Sequence, residues 1–178
     1  MLELHYVPLN EQGPDQKKTQ DLFETAFPEE ERPPFAMMLS WKHDEFYGVY
    51  KANEFVGLVD LILYKDLVYV FFLAVAEEKR NQGIGSQILS DLKGRYPNRR
   101  LFLLADEVDP KYADNEIRAR RIAFYNRNGF LDTGIKILEF GVMYQLLSAS
   151  GAISKREFYL VMESLIGEAK AKQFYGNI

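Results

Sequence analysis

Arg80-Asn81-Gln82-Gly83-Ile84-Gly85-Ser86 is the stretch on which the reading of this chain turns. Two glycines at this spacing let the backbone come close to a ligand. Upstream, residues 67–75 are apolar at nearly every position, as in a central strand covered on both faces. Downstream, Ile84, Ile88, Leu89 and Leu92 recur at helical spacing and define one buried stripe. A strand therefore passes through the glycines straight into a helix. The first turn of such a helix offers unpaired N–H groups and a partial positive charge, which together suit a pyrophosphate. Arg80 adds a full charge. A tight turn that binds nothing could carry the same two glycines, so the pattern gains its meaning from the strand and helix that flank it.

Outward from this turn the chain alternates short strands and helices. Residues 2–7 alternate in period two and read as a strand, after which Pro14-Asp15 opens a helix running to about Ala26 and stopped by Pro28. Residues 33–39 restart a short helix, since proline is tolerated in a first turn. Residues 46–51 and 55–64 are β-branched and aromatic and form a hairpin across residues 52–54, and Lys65-Asp66 turns the chain into residues 67–75. Residues 100–105 make a buried strand, 117–128 a helix, and 130–140 and 142–147 two final strands. The order is β, α, α, β, β, β, α, β, α, β, β. Beyond it, Ser154 with Glu157 three residues later makes a capping box that opens an amphipathic helix over residues 154–172. Phe158, Val161, Met162, Leu165 and Ile166 share one face of it. Packing on the parent domain is the expected use of that face, and a homodimer contact is the alternative. The domain reading is thus 1–149, with 150–178 as a helical extension packed on the same domain.

Composition removes several function classes. The 178 residues and an apolar fraction of 47% suit one domain with a substantial core. The absence of cysteine excludes disulfides, thiolate metal sites and an acyl-cysteine intermediate, so acyl transfer would be direct or use oxygen. The longest apolar run, residues 67–76, is far too short to cross a bilayer, so no membrane partner is expected. The first residues have neither a basic leader nor a long apolar segment, which gives a cytoplasmic expectation. A net charge of −4 argues against a nucleic-acid partner. Arg118, Arg120 and Arg121 form a local basic group that could hold phosphates or simply face water. His5 and His43 lack the spacing and companions of a metal site, so no metal is expected.

Arg80-x-x-Gly83-x-Gly85, preceded by Leu73-Ala74-Val75, resembles the acetyl-CoA signature of the GNAT superfamily of N-acetyltransferases. Ala123-Phe124-Tyr125-Asn126-Arg127-Asn128-Gly129-Phe130 resembles that superfamily's second signature, a helix carrying a Tyr and closing on Gly-Phe before the next strand. The resemblance covers residues 68–147 well, the N-terminal third only in element order, and the C-terminal helix hardly at all. It implies an α/β (α+β) fold with a mixed, mostly antiparallel central sheet splayed after the fourth strand, helices on both faces and an extra C-terminal helix. It also implies acetyl-CoA as co-substrate, held by Leu73, Ala74, Val75, Arg80, Asn81, Gln82, Gly83, Ile84, Gly85 and Ser86. In such a site backbone N–H groups near Leu73 and Val75 hold the pantetheine arm and polarise the acetyl carbonyl, stabilising the oxyanion that forms as an amine attacks.

The same resemblance makes Tyr125 the acid that protonates the departing thiolate, against the alternative of an ordinary core aromatic. Glu107 is the candidate base, with Asp106 and Asp109 as competitors. Two positions depart from the pattern: Arg118 stands where many members carry Asn, and Arg121 where a small Ala is expected. They read as contacts to the cofactor phosphates or an acidic substrate, or as a solvated face. The function implied is transfer of acetyl from acetyl-CoA to a primary amine, on a small molecule or on a protein or peptide, by direct attack in a ternary complex. The alternative is a non-catalytic acyl-CoA-binding regulatory module. A P-loop nucleotide enzyme is excluded, because no Gly-Lys-Ser or Gly-Lys-Thr follows the glycines. Residues 27–41, the loop 106–115 and the last hairpin are the expected acceptor pocket, and Glu29, Glu30, Glu31, Asp106, Glu107 and Asp109 suggest a cationic amine.

Overall fold

Ala52 and Asn53 both adopt left-handed backbone, with φ of 48° and 66°. That is the two-residue geometry whose twist matches a pair of antiparallel strands, and it joins β2 (Asp44–Lys51) to β3 (Glu54–Tyr64). β2 starts two residues before the stretch that sequence marks as strand. The computed structural model in which these features are seen describes residues 3–9, 14–41, 44–139 and 141–176. Readings that touch Met1, Leu2, residues 10–13, His43 and Phe140 lie outside the described residues.

The remaining elements are β1 (Leu4–Pro8), α1 (Pro14–Ala26), α2 (Phe35–Met38), β4 (Leu67–Val75), α3 (Ile84–Arg95), β5 (Arg100–Asp106), α4 (Asn115–Arg127), β6 (Leu131–Glu139), β7 (Val142–Ser148), α5 (Lys155–Ile166) and α6 (Glu168–Tyr175). Seven strands form one sheet in the order β1-β2-β3-β4-β5-β7-β6. β1 pairs antiparallel with β2, and β7 pairs antiparallel with both β5 and β6. β4 and β5 are parallel, through Leu67 with Arg100, Val68 with Leu101 and Tyr69 with Phe102. Parallel strands need a crossover, and α3 supplies it. The ladder stops after these pairs although both strands continue, at the place where the resemblance puts the splay. The fold is thus the mixed, mostly antiparallel α/β architecture the sequence implies. Among the described residues no helix is long and apolar enough to cross a membrane.

The residues group into two compact units, Met1–Ile62 with Val70–Arg95 and Leu63–Tyr69 with Tyr96–Ile178. In the first, Phe23 of α1 is fully buried and meets Phe72 of β4 edge to face at 4.9 Å. Phe35, Met38, Phe46, Leu58 and Ala74 complete this aromatic-rich core. Ring pairs in such geometry add to the stabilisation from area burial, which lets short α2 hold its place with little helix of its own. The stripe read from sequence on α3, Ile84, Ile88, Leu89 and Leu92, is buried throughout. Gly57 of β3 has a steric duty: a Cβ there would lie 2.5 Å from the Ala74 carbonyl oxygen. β3 and β4 approach so closely at this point that no side chain fits.

In the second unit, Tyr69 stacks on Phe102 at 4.7 Å, and Phe158 of α5 abuts Tyr69 at 5.9 Å. Phe158, Val161 and Met162 are buried, so the apolar face of α5 is covered by its own unit. The capping box is formed, with Ser154 Oγ accepting from the Glu157 N–H and the Glu157 carboxylate accepting from the Ser154 N–H. The single helix expected over residues 154–172 is in fact two. Gly167, at φ 83°, ends α5, and α6 begins at Glu168. Only glycine enters that backbone region freely, and the amphipathic pattern continues across it, so periodicity alone misses the break. Arg100 fastens the start of α5: Nε donates to Asp66 at 2.7 Å, Nη2 to Glu157 at 2.6 Å and Nη1 to the Ala152 carbonyl at 2.6 Å.

Candidate active site

The glycine turn lies in the first unit. After β4 the chain makes a 3-10 turn over Glu77–Lys79. Asn81 (φ 61°) and Gly83 (φ 77°) are then both left-handed. Asparagine is among the few side-chain-bearing residues that enter this region readily, and at Gly83 a Cβ would meet no neighbour, so backbone conformation and not crowding selects the glycine. The Gln87 N–H donates to the Gly83 carbonyl at 3.0 Å and begins the helical ladder of α3. The N–H groups of Ile84, Gly85 and Ser86 therefore fall in the turn that has no intrahelical acceptors. Arg80 is exposed, and its Nε donates to the Val75 carbonyl at 3.3 Å, which ties the turn to the end of β4. Gln82 Nε2 donates to the Glu78 carbonyl at 3.1 Å. Along β4, Phe72 and Ala74 are buried while Leu73 and Val75 are half-buried, the alternation of a strand with one face on the core.

The second group of expected residues lies in the second unit, where α4 faces the C-terminal end of β5. Tyr125 is half-buried beside Phe124 and Phe130, at ring distances of 5.3 Å and 6.4 Å. Its hydroxyl makes no hydrogen bond to any described residue, and burial pushes the phenol above its ordinary value, so it carries its proton at neutral pH. Asp106 and Glu107 are buried acids, and each is matched by base. Arg121 Nη1 pairs with Asp106. Glu107 is shared between Lys136 and Lys111, the latter at 3.4 Å. Lys136 beside Glu107 holds its carboxyl below the usual range, and bonds from the Lys111 N–H and ammonium do the same for Asp109.

Arg118, read from sequence as a cofactor contact, is buried and engaged locally. Its Nε donates to Asp114 at 2.8 Å, its Nη1 reaches the Glu107 carbonyl at 3.4 Å, and its guanidinium lies 3.9 Å from the Tyr112 ring centre. Asp106, Glu107, Asp109 and Asp114 are thus balanced by Arg121, Lys136, Lys111 and Arg118. The acidic field that the sequence suggests for this loop is largely cancelled, and Glu29, Glu30 and Glu31 form a 3-10 turn in the other expected pocket segment. Lys136 escapes a reading of the sequence because it is 29 residues from Glu107 and sits in a strand whose charges look like ordinary solvation. Tyr112 escapes it because nothing local announces a ring under a guanidinium.

A family model described as the acetyltransferase (GNAT) domain matches residues 42–131, which contain both signature stretches. A search of curated proteins finds no match. Among solved structures, a GNAT-family protein from Bacteroides thetaiotaomicron superposes with a TM-score of 0.73 at 20% identity, covering 89% of this chain and 93% of its own. A GNAT family acetyltransferase from Elizabethkingia anophelis, solved with acetyl-CoA bound, gives 0.58 at 20% identity over 84% of this chain and 98% of its own. Arabidopsis thaliana Naa50, in complex with the bisubstrate analogue CoA-Ac-MVNAL, gives 0.59 at 20% identity over 83% and 99%. At this identity the superpositions speak for the fold, and the domain match speaks for the family. With the two signatures in order on a β4-to-α3 turn and on α4, the chain belongs to the GNAT acetyltransferase family.

Proposed function

We propose that this acetyltransferase takes its acetyl group from acetyl-CoA and delivers it to a primary amine by direct attack in a ternary complex. The observation that carries the reading is the turn itself. Left-handed Asn81 and Gly83 deliver the chain into α3 with the N–H groups of its first turn unpaired, which is the arrangement an anionic pyrophosphate needs. In this reading Gln82, Gly83, Ile84, Gly85 and Ser86 hold the pyrophosphate, Arg80 adds charge, and backbone N–H groups of residues 73–75 take the pantetheine arm and the acetyl carbonyl. The acetyl-CoA bound to the Elizabethkingia protein and the bisubstrate analogue on the Arabidopsis one are the ligand chemistry expected here.

Tyr125 protonates the CoA thiolate: its phenol is protonated at working pH and its hydroxyl has no described partner to surrender. Glu107 is a poor base in this geometry, since Lys136 and Lys111 favour its ionised form and occupy its oxygens. The amine therefore attacks as the neutral species and sheds its proton through water, while Glu107 orders the two lysines. Arg118 holds the loop 106–115 against α4 and needs no phosphate to satisfy it. The test is acetyl-CoA turnover against a panel of primary amines, polyamines and peptide N-termini included, followed by mass spectrometry of the products. Acetylated amine with stoichiometric free CoA is expected. Slow thioester hydrolysis without acetylated amine across the panel would overturn the assignment.

A further inference from the structure

Arg118, Arg121 and Tyr125 stand at positions i, i+3 and i+7 of α4 and so share one face of that helix. That face meets the C-terminal end of β5. Arg118 reaches the Glu107 carbonyl, Arg121 pairs with the Asp106 carboxylate, and Tyr125 follows Arg121 by one helical turn on the same face. Asp106 is buried and Arg121 about half-exposed, so the pair holds the guanidinium by Nη1 at a partly solvated site. Arg121 lies just before the second signature stretch, at a position where the resemblance leads one to expect a small residue, so the pairing is a feature of this chain.

We propose that Arg121, pinned by Asp106, is a positioning residue that stabilises the tyrosinate formed when Tyr125 gives its proton to the CoA sulfur. The inference rests on Tyr125 being the acid. As the amine nitrogen bonds to the acetyl carbon, the carbon–sulfur bond breaks. Its electron pair goes to sulfur, which takes the proton from Tyr125 Oη. The oxygen is left as a phenolate, and it regains a proton from the one the nitrogen sheds, through water. Nothing is consumed beyond acetyl-CoA and amine. During that interval an anion exists in a partly desolvated place where the neutral phenol is favoured and where the hydroxyl has no hydrogen-bond partner among the described residues. Arg121 is the cation one helical turn before Tyr125 on the same face, and it is paired with Asp106. Pairing with Asp106 fixes the guanidinium one helical turn from Tyr125 and offsets the acid that would otherwise oppose the phenolate.

The experiment is single-turnover acetyl transfer on the full chain, with R121Q, R121K, Y125F and the Y125F/R121Q double variant, and acetyl-CoA affinity and melting temperature measured for each. R121Q is expected to slow the chemical step about tenfold while leaving acetyl-CoA affinity within about twofold, the pattern of a transition-state interaction. R121K should recover most of that loss, because the charge and not the fork is what the phenolate needs. In the Y125F background R121Q should cost nothing further, because no phenolate forms. The inference alone fails if Y125F slows the step and R121Q does not, if the two losses add in full, or if R121K is as slow as R121Q. If Y125F leaves the chemical step unchanged, the acid assignment itself falls and takes this inference with it.

Discussion

Tyr125 shows what a single residue's surroundings add to a sequence motif. The motif places a phenol on a helix before Gly-Phe, and the structure adds that the hydroxyl is unpartnered among described residues and held protonated by burial. Y125F should lower the single-turnover rate on the order of 10²-fold, the lower range for general acid catalysis, with acetyl-CoA affinity nearly unchanged. Glu107 shows the reverse. The sequence offers it as a base, and long-range partners that no local pattern reveals, Lys136 above all, hold its carboxyl below the usual range. E107Q should therefore slow the chemical step by less than about tenfold, whereas loss of a true general base costs 10² to 10⁴. The folded-state pKa of Glu107 is depressed, so its contribution to stability is complete above the ordinary carboxylate value and is lost as pH falls through the folded value. Acid unfolding of E107Q, followed by circular dichroism, should accordingly show a shallower decline in stability below about pH 4.5 than the wild type. An identical acid limb in both proteins would remove the ion pair from the account.

At the scale of elements, most of the fold is legible in the sequence, and the exceptions have physical causes. Uniform apolarity marked β4, helical spacing marked α3, and the capping box marked the start of α5, because each is a local pattern with a local reason. The break at Gly167 was not legible, because a glycine within an amphipathic run is silent until its φ is known. Gly57 was equally silent: its need follows from the Ala74 carbonyl on the adjacent strand. Gly57→Ala should push β4 away near Leu73 to Val75, destabilise the protein by about 1–3 kcal/mol as overpacking typically does, and raise the KM for acetyl-CoA. A variant with unchanged melting and KM would show that β4 yields there at no cost. The C-terminal segment is held by the Arg100 bonds and by Phe158 against Tyr69 and Phe102. Arg100→Ala, which removes the bonds to Asp66, Glu157 and the Ala152 carbonyl at a partly exposed site, should cost about 2 kcal/mol in urea unfolding. Truncation at Ser150 should cost more, since it uncovers the apolar face of the sheet that α5 buries. Unchanged stability on truncation would make residues 150–178 an appendage.

For the whole molecule, two signature stretches carried the family, because each is a local pattern: a glycine turn between strand and helix, and a helix that closes on Gly-Phe. In the proposed function, left-handed Asn81 and Gly83 and an open helix start serve an anion through backbone groups. The acceptor is not legible in the same way. The loop 106–115, one of the segments expected to line the acceptor pocket, is a balanced set of ion pairs where its composition suggested an acidic field. Binding of acetyl-CoA by the turn from Arg80 to Ser86 is tested by calorimetric titration of acetyl-CoA into the wild type and G85E. A saturable one-to-one isotherm is expected for the wild type with a matching rise in melting temperature, and no binding by a G85E protein that is still folded, because bulk and like charge then stand at the proposed phosphate site. Absence of binding by the wild type at millimolar acetyl-CoA, or undiminished affinity in folded G85E, would contradict it.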